Sequence, residues 1–370
     1  MRSPLEGIRV VDLSRVLAGP LVAMTLGDLG ADVVKVESPL GDDTRRWKPP
    51  QDALGRASYH HTANRNKRSI VLDLKDPRDL ELAHRLCQRA DVVVSNFLPG
   101  TLGRFGLDYE SVARTNAGVV HCEIRGFGEG AGASLPGYDP LVQALSGLMS
   151  VTGPPGVPSK TGVAVTDVVA ALYGTIGVLA ALYARLETGR GQRVTVDLLH
   201  ASLALLANQS TGFLASGEVP VALGNVHPSI EPFATYAAAD GDLMICAGND
   251  TQFERLASVL GLEPDERFAT NELRVANRAA LRAALQERLA SRTRADWGGE
   301  LAEAGVPAGP VQTIGEAFTL ASVLGLDVVD ETEGVRTVAF PALLSATPAG
   351  VRRRPPDLDE HGDELRVSDG

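Results

Sequence analysis

The stretch IRVVDLSRVLAGPLVAMTLGDLGADVVKVE, Ile8 to Glu37, sets the fold class of the chain. Two runs rich in β-branched residues, Ile8–Leu13 and Asp32–Glu37, predict strands, and the apolar segment Leu21–Leu29 between them predicts a helix. Ala18-Gly19-Pro20 predicts a turn before that helix. A strand, a helix and a second strand in this order form a βαβ unit, which joins two parallel strands of one sheet.

More strands of the same kind follow along the chain. Ser69–Leu74, Asp91–Ser95 and Val119–Ile124 are short runs rich in valine and isoleucine, and Pro77–Arg89 between the first two predicts a helix. Alternation of strands and helices favours an α/β fold with a parallel, doubly wound sheet.

The second half of the chain has a different pattern. Within Glu231–Asp250, the dipeptide Asp240-Gly241 between two apolar runs predicts a hairpin, and Thr251–Leu260 and Arg274–Arg292 predict helices. We therefore expect a second, smaller α+β domain. The segment Gly305–Val311 is rich in glycine and proline and is expected to interrupt that domain.

The composition limits the classes of partner. The chain has 370 residues, of which 44% are hydrophobic and 5% aromatic, which is typical of a soluble protein of two domains with aliphatic cores. Its formal net charge of -11 opposes binding to nucleic acid or to an anionic membrane, since both need a concentrated basic face. A ligand that carries phosphate must therefore meet a local basic patch.

Several features favour a cytoplasmic protein. The cysteines Cys87, Cys122 and Cys246 lie far apart without a CxxC pair, so we expect reduced thiols rather than disulfides or a zinc site. The N-terminal residues lack the apolar core of a signal peptide. The uncharged run Val168–Ala184 approaches the length of a membrane span, but charged residues flank it closely. We expect it to be a buried core helix.

A dinucleotide site is not favoured. Glu37 ends the second predicted strand, where an acid that binds a ribose would lie. The segment Leu17–Leu21 between the strands lacks the GxGxxG pattern, however, and Pro20 has no amide hydrogen for a pyrophosphate. The chain is therefore not expected to be a dehydrogenase.

Asp167 is the first candidate for chemistry. It follows the apolar segment Gly162–Thr166 and precedes the uncharged run, so we expect it near a helix N-terminus, where free amides and the helix dipole stabilise a carboxylate. Asp167, or Thr166 beside it, can simply cap this helix. A partly buried, ionised carboxylate can also attack an activated acyl group and form an anhydride. The pattern alone leaves both roles open.

Small residues follow Asp167 along the same predicted helix. Ala170, Ala171, Gly174 and Gly177 leave little side-chain bulk beyond the carboxylate, which suits an acyl substrate. Close packing of the helix against a neighbouring element explains them equally well.

Three loops are candidates for ligand binding. Gly41–Lys48 and Asn64–Arg68 are rich in arginine and flank the same predicted sheet, so either can receive phosphates or be a solvated charged loop. Asn96–Arg104 leaves the C-terminal end of the Asp91–Ser95 strand, where ligands of open α/β sheets gather. None of the seven histidines has metal-ligand spacing, so no metal site is expected. His200, in an apolar helical run, is expected to be a hydrogen-bonded core residue.

Together these stretches resemble the class III coenzyme A transferases, the family that includes formyl-CoA transferase and the carnitine CoA-transferases. The resemblance covers nearly the whole chain, and the order and spacing of its motifs make it specific. The motifs are Leu5–Leu13, Arg15–Pro20, Gly27–Glu37, Asn64–Ser69, Pro136–Asp139 and Thr188–Gln192.

The resemblance implies the chemistry. At the position of Asp167 the family has its nucleophile, which attacks the thioester of a donor acyl-CoA and later carries CoA as an aspartyl-CoA thioester. A carboxylic acid acceptor then takes the CoA. No permanently bound cofactor and no metal are implied, because one thioester is exchanged for another; the substrates are CoA thioesters and a small carboxylic acid. The residues implied to bind CoA are Val16, Leu17, Asn96, Phe97 and Arg104, with Tyr138 near the thioester.

The resemblance also implies the architecture. It is an α/β fold with a large Rossmann-like domain that binds CoA and a small α+β domain, in an interlocked homodimer whose chains thread through one another. On this sequence we expect the large domain over 1–215, completed by 331–370, and the small domain over 225–325. The polar tail after Val335 would then gain order on the large domain rather than from a core of its own.

Two departures from the family pattern bear on the substrate. The loop Gly224–Ser229 differs from the glycine run of formyl-CoA transferase and is closer to members that use succinyl-CoA with dicarboxylate acceptors. Glu123 and Arg125 stand where family members tend to have small polar residues. Arg125 can bind a second carboxylate if it faces the site, or form a surface pair with Glu123.

Two other functions remain open. The α-methylacyl-CoA racemases resemble this family in fold, but they have Gly-His-Asp where this chain has Gly137-Tyr138-Asp139, and a tyrosine with an ordinary pKa near 10 is a poor base at neutral pH. A non-catalytic CoA-binding protein would keep the binding loops and need nothing from Asp167. Ligand binding without turnover would support the second alternative.

Overall fold

The computed structural model describes residues 2–368 of the chain. The chain divides into two compact units. The first comprises Met1–Leu148, Thr161–Glu218 and Leu326–Gly370, and the second comprises Met149–Lys160 and Val219–Gly325.

Strands and helices alternate through the first unit. The strands of the whole chain are β1 (Arg9–Asp12), β2 (Asp32–Glu37), β3 (Lys67–Val71), β4 (Val92–Ser95), β5 (Val120–Arg125), β6 (Arg193–Asp197), β7 (Phe233–Ala238), β8 (Gly241–Cys246), β9 (Ala308–Pro310), β10 (Val329–Thr332) and β11 (Val335–Val338).

The helices vary widely in length. They are α1 (Ala18–Asp28), α2 (Ser58–His61), α3 (Pro77–Arg89), α4 (Tyr109–Ala113), α5 (Asp139–Leu145), α6 (Leu148–Val151), α7 (Val165–Thr188), α8 (Leu198–Leu205), α9 (Asn208–Ser216), α10 (Asp250–Val259), α11 (Asn271–Ala276), α12 (Arg278–Leu289), α13 (Arg294–Glu303), α14 (Ile314–Val323) and α15 (Gly362–Ser368). Short 3₁₀ helices cover Asp43–Arg46, Leu102–Phe105 and Glu266–Phe268.

The first unit is built on a six-stranded sheet in the order β3-β2-β1-β4-β5-β6. Its neighbouring strands are parallel, with Val10 of β1 opposite Val33 of β2 on one side and Val92 of β4 on the other. This confirms the predicted α/β class with a parallel sheet. The strand order reverses between β1 and β4, where the loops that leave the carboxyl ends diverge and form a crevice.

Both faces of this sheet are buried. Side chains alternate along a strand, so Val10 belongs to the core cluster under α1 and α7, while Val11 belongs to the cluster under α3 and α15. Helices on both faces explain the runs of valine in β2 and β4, because a parallel sheet covered on both sides needs apolar residues at consecutive positions.

Helix α1 begins earlier than expected. The prediction of a turn at Ala18–Pro20 is wrong, because these residues form the first turn of the helix. Proline is accepted there since the amides of a first turn have no partner within the helix. Glycine is needed at position 19, because a Cβ on Gly19 would overlap the side chain of Ser14.

The two edge strands also differ from expectation. β3 covers Lys67–Val71 rather than Ser69–Leu74, because Lys67 enters the sheet opposite Val33 with its charge buried against Asp12. Sequence reasoning missed β6 altogether. This strand, at the far edge of the sheet, is half-buried and mixes charged residues with valine, so it lacks an apolar run.

Helix α7 is longer than its uncharged run. Within the described residues 2–368 it is the one helix with the length and hydropathy of a membrane span, and half of its most apolar window is buried inside the protein. Its buried side packs on α1, β5 and β6. Leu172, Ile176 and Tyr183 on its other side are exposed. The prediction of a core helix is therefore right for one face, and the second face is apolar but uncovered in a single chain.

The expectation for His200 is wrong. His200 is exposed on α8, whereas Leu198 and Ala201 of the same helix belong to the core. An apolar run in a short helix does not bury every position, because only one face of the helix meets the core.

The second unit is an antiparallel sheet, β7-β8-β9, packed with helices α10, α12 and α13. The predicted hairpin is confirmed as β7 and β8. The expectation that Gly305–Val311 interrupts the unit is wrong, because Ala308–Pro310 forms β9 against β8. The predicted helix Arg274–Arg292 is in fact two helices, α11 and α12, which meet at the non-helical backbone of Asn277.

The last segment of the chain contacts the parallel sheet. Asn66 accepts hydrogen bonds from the backbone amides of Arg352 and Arg353 through its Oδ1, at 2.6 and 3.0 Å. Further along, α15 packs against β3 and places Leu365 in the core cluster under α3. The polar tail thus takes its order from the sheet of the first unit.

Candidate active site

A cleft of about 210 Å³ opens at the carboxyl ends of the parallel strands. Its walls come from the loop between β1 and α1, from the loop after β4 and from the segment after β5. β1 and β4 are neighbours where the strand order reverses, which is the usual ligand position in open α/β sheets. The cleft collects these predicted site residues: Val16, Leu17, Asn96, Phe97, Tyr138 and Asp167.

Asp167 is the third residue of α7, and it lies in the wall of the cleft. The residue is only 8% exposed. Within residues 2–368 its carboxylate has neither a hydrogen-bond donor nor a cation as partner. A buried carboxylate without a partner costs free energy. Carboxylates of this kind are concentrated at functional sites.

The cap of α7 is supplied by Asp139 rather than by Asp167. One oxygen of Asp139 accepts hydrogen bonds from the backbone amide and the hydroxyl of Thr166, at 2.9 and 2.6 Å. The other oxygen accepts a hydrogen bond from Nε2 of Gln143 at 2.7 Å. Ala164 precedes the helix and offers no side-chain cap. The interpretation that Asp167 or Thr166 caps the helix is therefore wrong. Thr166 donates its amide and hydroxyl hydrogens to Asp139, and the Asp167 carboxylate accepts no hydrogen bond from the helix amides.

Sequence reasoning missed the roles of Asp139 and Gln143. Both side chains are buried, at 5% and 0% exposure. Oε1 of Gln143 also accepts a hydrogen bond from the amide of Thr161 at 2.9 Å, which ties down the segment that leads into α7. The signal available in the sequence was the acid at the end of the Gly137-Tyr138-Asp139 motif, but its partner lies more than twenty residues away.

The environment of Asp167 makes it a weak acid. Burial, and to a smaller extent the negative charge of Asp139, raises the pKa of Asp167 to about 7. Its place in the first turn of α7 favours the ionised form, because the free amides there carry partial positive charge. Near neutral pH the group therefore passes between a protonated acid and a nucleophilic carboxylate.

The small residues of α7 serve packing. A Cβ on Gly174 would lie 3.0 Å from Val22 of α1 and 3.1 Å from Ile124 of β5, and one on Gly177 would lie 2.6 Å from Val194 of β6. Gly174 also lies about 10 Å along the helix axis from Asp167. Of the two explanations for these glycines, close helix packing is the one that the contacts support.

The loop between β1 and α1 is held from two sides. The amide of Val16 donates to Oδ2 of Asp42 at 3.1 Å, and the φ of Val16 is 71°, a left-handed value that β-branched residues rarely adopt. Oδ1 of Asn96 accepts from the amide of Arg15 at 2.9 Å, and Nδ2 of Asn96 donates to the Arg15 carbonyl at 2.6 Å. Asn96 thus lines the cleft, but its amide group serves the loop.

The mouth of the cleft carries a cation and two aromatic rings. The guanidinium of Arg15 lies 5.8 Å from the centroid of Phe97, and 58% of the Arg15 side chain is exposed. Tyr138 precedes α5 and is 61% exposed. Arg104 is exposed in the turn Leu102–Phe105 and is not among the residues that line the cleft.

The basic loop Asn64–Arg68 is not available to a phosphate, so that interpretation is wrong. Its three cations are used by carboxylates of the first unit: Arg65 by Asp28 at 2.6 Å, Lys67 by Asp12 at 2.7 Å, and Arg68 by Asp32 at 2.6 Å. Charged residues in sequence are solvated only where the fold leaves them outside, and this loop is largely buried.

In the other basic loop, Gly41–Lys48, one arginine is engaged inside the protein and another is exposed. Arg45 bonds Glu37 at 2.6 Å, and Glu37 also accepts a hydrogen bond from the hydroxyl of Ser69 at 2.8 Å. Glu37 is thereby engaged inside the protein rather than placed to bind a ribose. Arg46 is more than half exposed and pairs with Asp43 at 2.7 Å, which leaves it in reach of solvent.

Arg125 lies beside the cleft. Its guanidinium contacts the carboxylates of Asp197, at 3.0 Å, and of Glu129. The surface pair with Glu123 is not formed, because Glu123 instead lies 3.7 Å from Arg193. Burial raises the pKa of Glu123. Arg125 thus lines the cleft with its guanidinium paired to Asp197 and Glu129, and the surface pair with Glu123 is absent.

Comparison with known proteins gives a consistent result. A family model described as CoA-transferase family III matches residues 5–362. The chain is 44% identical to succinate-glutarate CoA-transferase of Agrobacterium fabrum, over 97% of this chain and 94% of that protein. It is 38% identical to acetyl-CoA:oxalate CoA-transferase of Acetobacter aceti, over 99% of this chain and 95% of that protein. The crystal structure of a CAIB/BAIF family protein from Brucella suis matches with a TM-score of 0.92 and 44% identity, over 100% of both chains.

Proposed function

The chain belongs to CoA-transferase family III and is a CoA-transferase, and from this premise we propose that it moves CoA from succinyl-CoA to a dicarboxylic acid with Asp167 as its nucleophile. The observation that carries the proposal is the state of the Asp167 carboxylate. It is buried in the wall of the cleft and lacks a partner within residues 2–368, and the helix beside it is capped by Asp139 instead.

The transfer proceeds by four exchanges at one carboxylate. Asp167 attacks the thioester carbonyl of the donor, which forms a mixed anhydride and releases CoA as a thiolate. The thiolate attacks the aspartyl carbonyl, so the donor acid leaves and an aspartyl-CoA thioester remains. The acceptor carboxylate attacks this thioester and forms a second anhydride. CoA thiolate then attacks the acceptor acyl carbon, which releases the new acyl-CoA and restores Asp167.

The fold supplies position and a dry site for these exchanges. The network of Asp139, Thr166 and Gln143 fixes the first turn of α7, so the backbone of Asp167 is held in place at the cleft. The apolar side chain of Leu17 lines the cleft, and water displaced from this wall by a bound substrate would be unable to hydrolyse an anhydride. Because each step exchanges one activated acyl group for another, no ATP and no metal is required.

We propose that CoA lies along the cleft wall. Val16, Leu17, Asn96, Phe97 and Tyr138 all border the cleft that contains Asp167. Exposed cations near its mouth suit the phosphates of CoA, and they are Arg15, Arg46 and Arg104. Arg104 belongs to this group only as an outer contact for the phosphates.

The dicarboxylate specificity rests on two observations. The names of the two related transferases contain three dicarboxylic acids, succinate, glutarate and oxalate, and the second is also named for acetyl-CoA. Arg125 borders the cleft, and its guanidinium donates hydrogen bonds to the carboxylates of Asp197 and Glu129, which a substrate carboxylate would have to replace or join. We propose that succinyl-CoA is the donor and that Arg125 favours a substrate with a second carboxylate.

We also propose the finer architecture. The strand order β3-β2-β1-β4-β5-β6 supports a Rossmann-like large domain, with residues 1–215 and 331–370 in it and 225–325 in a small domain. The apolar, exposed side of α7 supports an interlocked homodimer, in which a second copy of this chain covers it. Three free cysteines support a reducing compartment, the cytoplasm.

The test is a mass-spectrometric screen. Purified protein is incubated with succinyl-CoA, or separately with acetyl-CoA, and a pool of mono- and dicarboxylic acids, with Asp167→Asn and Asp32→Asn in parallel. We expect new dicarboxylyl-CoA masses with the wild type and with Asp32→Asn, whose carboxylate is exposed at the start of β2, and none with Asp167→Asn. A peptide that contains Asp167 and gains the mass of CoA would identify the thioester intermediate.

Other outcomes of this screen would contradict specific parts of the proposed function. Full transfer by Asp167→Asn removes the aspartyl mechanism. Transfer only to monocarboxylic acids removes the dicarboxylate specificity. Binding of CoA thioesters without turnover by the wild type favours a non-catalytic protein, and exchange of the α-hydrogen of a 2-methylacyl-CoA with deuterium favours the racemase alternative.

A further inference from the structure

Two lysines and two aspartates form a buried cluster beneath the loop Ser14–Leu17. They are Lys35, Lys67, Asp12 and Asp42, each at most 4% exposed. Nζ of Lys67 lies 2.7 Å from Asp12, and Nζ of Lys35 lies 3.0 Å from Asp42 and 3.9 Å from Asp12. Two positive and two negative charges balance, so the cluster is neutral as a whole.

A neutral, buried ion cluster does not by itself stabilise a fold more than apolar packing would. Removal of charges from water carries a penalty that the attraction between them only partly offsets, and apolar residues of similar volume often serve a core better. Retention of four buried charges beneath the loop that follows β1 therefore calls for another explanation, and the hydrogen bonds of the cluster supply one.

The cluster reaches the loop at two places. Nζ of Lys35 donates to the carbonyl of Ser14 at 3.0 Å, and the amide of Ser14 donates to Oδ1 of Asp12 at 3.0 Å. Oδ2 of Asp42 accepts from the amide of Val16 at 3.1 Å. Since Asn96 binds Arg15 from the other side, three successive residues of the loop are held by side chains from outside it.

The conformation held in this way is a strained one. Val16 has a φ of 71°, and a β-branched side chain in the left-handed region is disfavoured by contact with its own backbone. Strained residues persist where the surroundings over-determine them, and they gather at functional sites. Val16 lines the cleft that contains Asp167, so the strain lies at the place where the acyl-CoA is proposed to bind.

We propose that the cluster of Asp12, Lys35, Asp42 and Lys67 is a positioning device, with Asp42 as the residue that holds Val16 in its left-handed conformation for turnover. The inference rests on the proposed function. Asp42 contacts no substrate and acts through the backbone of Val16. Lys35 and Lys67 keep the two carboxylates charged and fix their directions.

The geometry makes one substitution informative. Oδ1 of Asp42 accepts from the amide of Thr44 at 2.9 Å and from its hydroxyl at 2.7 Å, while Oδ2 faces the amide of Val16 and Nζ of Lys35. Asp42→Asn keeps the bonds to Thr44 and sets an NH₂ group against two donors. The loop then loses the shorter of its two hydrogen bonds at Val16 and keeps only the 3.4 Å contact of that amide with Oδ1, with little change in side-chain volume.

The matched control is Asp28→Asn. Asp28 is 1% exposed and pairs with Arg65, so it equals Asp42 in residue type and burial, but it has no contact with the loop. Both variants are expected to lower the melting temperature. Amide hydrogen exchange of a peptide that covers residues 14–17 and steady-state kinetics with succinyl-CoA are then measured for both, per mole of folded enzyme.

We expect Asp42→Asn to lower kcat at least tenfold, to leave KM for the acyl-CoA within roughly threefold and to speed exchange in the loop. Asp28→Asn should leave kcat within about twofold of the wild type and loop exchange unchanged. Equal kcat losses in the two variants, or an unchanged kcat in Asp42→Asn, would overturn the inference. If Asp42→Asn does not fold, Thr44→Val loosens the same carboxylate without a change of charge and should show the same pattern in smaller measure.

A failure of the proposed function gives a different result. In that case the wild type transfers no CoA, and the amide hydrogen exchange rates of residues 14–17 alone test whether Asp42 holds the loop. Faster exchange at the loop in Asp42→Asn than in Asp28→Asn supports the clamp, and equal rates refute it.

Discussion

Asp139 and Asp167 are two carboxylates near one helix terminus with different roles. Asp139 is fully engaged by Thr166 and Gln143, while Asp167 has no such donors within the described part of the chain. A carboxylate that accepts several hydrogen bonds is stabilised as an anion and is a poor nucleophile, whereas one without donors keeps its reactivity and has a raised pKa. Hydrogen bonding thus assigns the cap to Asp139 and leaves Asp167 available for the chemistry proposed above.

The pH dependence of turnover tests this division. Because the pKa of Asp167 is about 7 and the nucleophile must be ionised, kcat/KM should fall as the pH is lowered through 7, by roughly tenfold per unit below it. Asp139→Asn removes the negative charge that contributes to the raised pKa. Its pH profile should therefore move to lower pH, but not to the ordinary value of 3.8, because burial is the larger cause. An unshifted profile would show that the charge of Asp139 does not reach the reacting group.

The stability of the fold should depend on the same carboxylate. The pKa of Asp167 in the folded chain is above its ordinary value of 3.8, so ionisation is harder in the folded state. The resulting loss of stability begins as the pH rises above about 4 and is complete above about 7. Asp167→Asn should therefore be more stable than the wild type at pH 8, by on the order of 2–4 kcal/mol.

Urea unfolding at pH 8 and at pH 4 measures this difference. The advantage of Asp167→Asn should largely vanish at the lower pH, where Asp167 is protonated in the folded chain. An equal advantage at both pH values would mean that the amide packs better than the carboxyl, with no role for charge. Asp327→Asn, at an exposed position, serves as the control for a change of net charge.

At the scale of elements, α15 and β3 form a contact between distant parts of the sequence. Leu365 of α15 is fully buried in the cluster with Leu82 and Leu86 of α3, whereas Val367 of the same helix is 86% exposed. The helix itself has seven residues and is too short to be stable without such packing.

Leu365→Ala should therefore destabilise the first unit by about 2–5 kcal/mol, because it removes buried methyl groups and leaves a cavity. Val367→Ala, on the outward side of the same helix, should change the free energy of unfolding by less than about 0.5 kcal/mol. Thermal and urea unfolding of both variants provides the comparison. Similar effects of the two substitutions would mean that α15 does not pack on the sheet in solution.

At the scale of the whole molecule, the uncovered side of α7 is the feature that a single chain does not explain. Leu172, Ile176 and Tyr183 repeat at helical spacing and are 54%, 61% and 72% exposed. A soluble chain seldom leaves such an apolar stripe in water. A second copy of the chain is the occupant that the proposed interlocked homodimer supplies.

Ile176→Asp should then prevent normal assembly, because it buries an unpaired charge in the interface. We expect the wild type to run as a dimer in size-exclusion chromatography with light scattering, and Ile176→Asp to give monomer or unfolded protein. Leu54→Asp introduces the same charge in place of a side chain of the same size, at a loop position that is 76% exposed. This variant should remain dimeric. A wild-type monomer, or a dimer that tolerates Ile176→Asp, would refute this interface.

The sequence by itself determined the α/β class, the family and the candidate nucleophile. Runs such as Asp32–Glu37 and the helix Pro77–Arg89 were predicted with the bounds that the structure has, because alternation and capping are local properties. The position of Asp167 at the start of a long apolar helix was equally readable. These features depend on residues within a turn or two of one another.

Only the tertiary structure decided which polar residues are available. Asp139 caps a helix that begins 26 residues later, and Lys67 is fully buried against Asp12. The basic loop that contains Lys67 is neither the phosphate site nor the solvated loop that its sequence allowed. The side of α8 on which His200 lies was decided in the same way. The physical reason is that a charge or a hydrogen-bonding group is satisfied by whatever the fold places within about 3 Å, and partners across a sheet leave no periodic trace in the sequence.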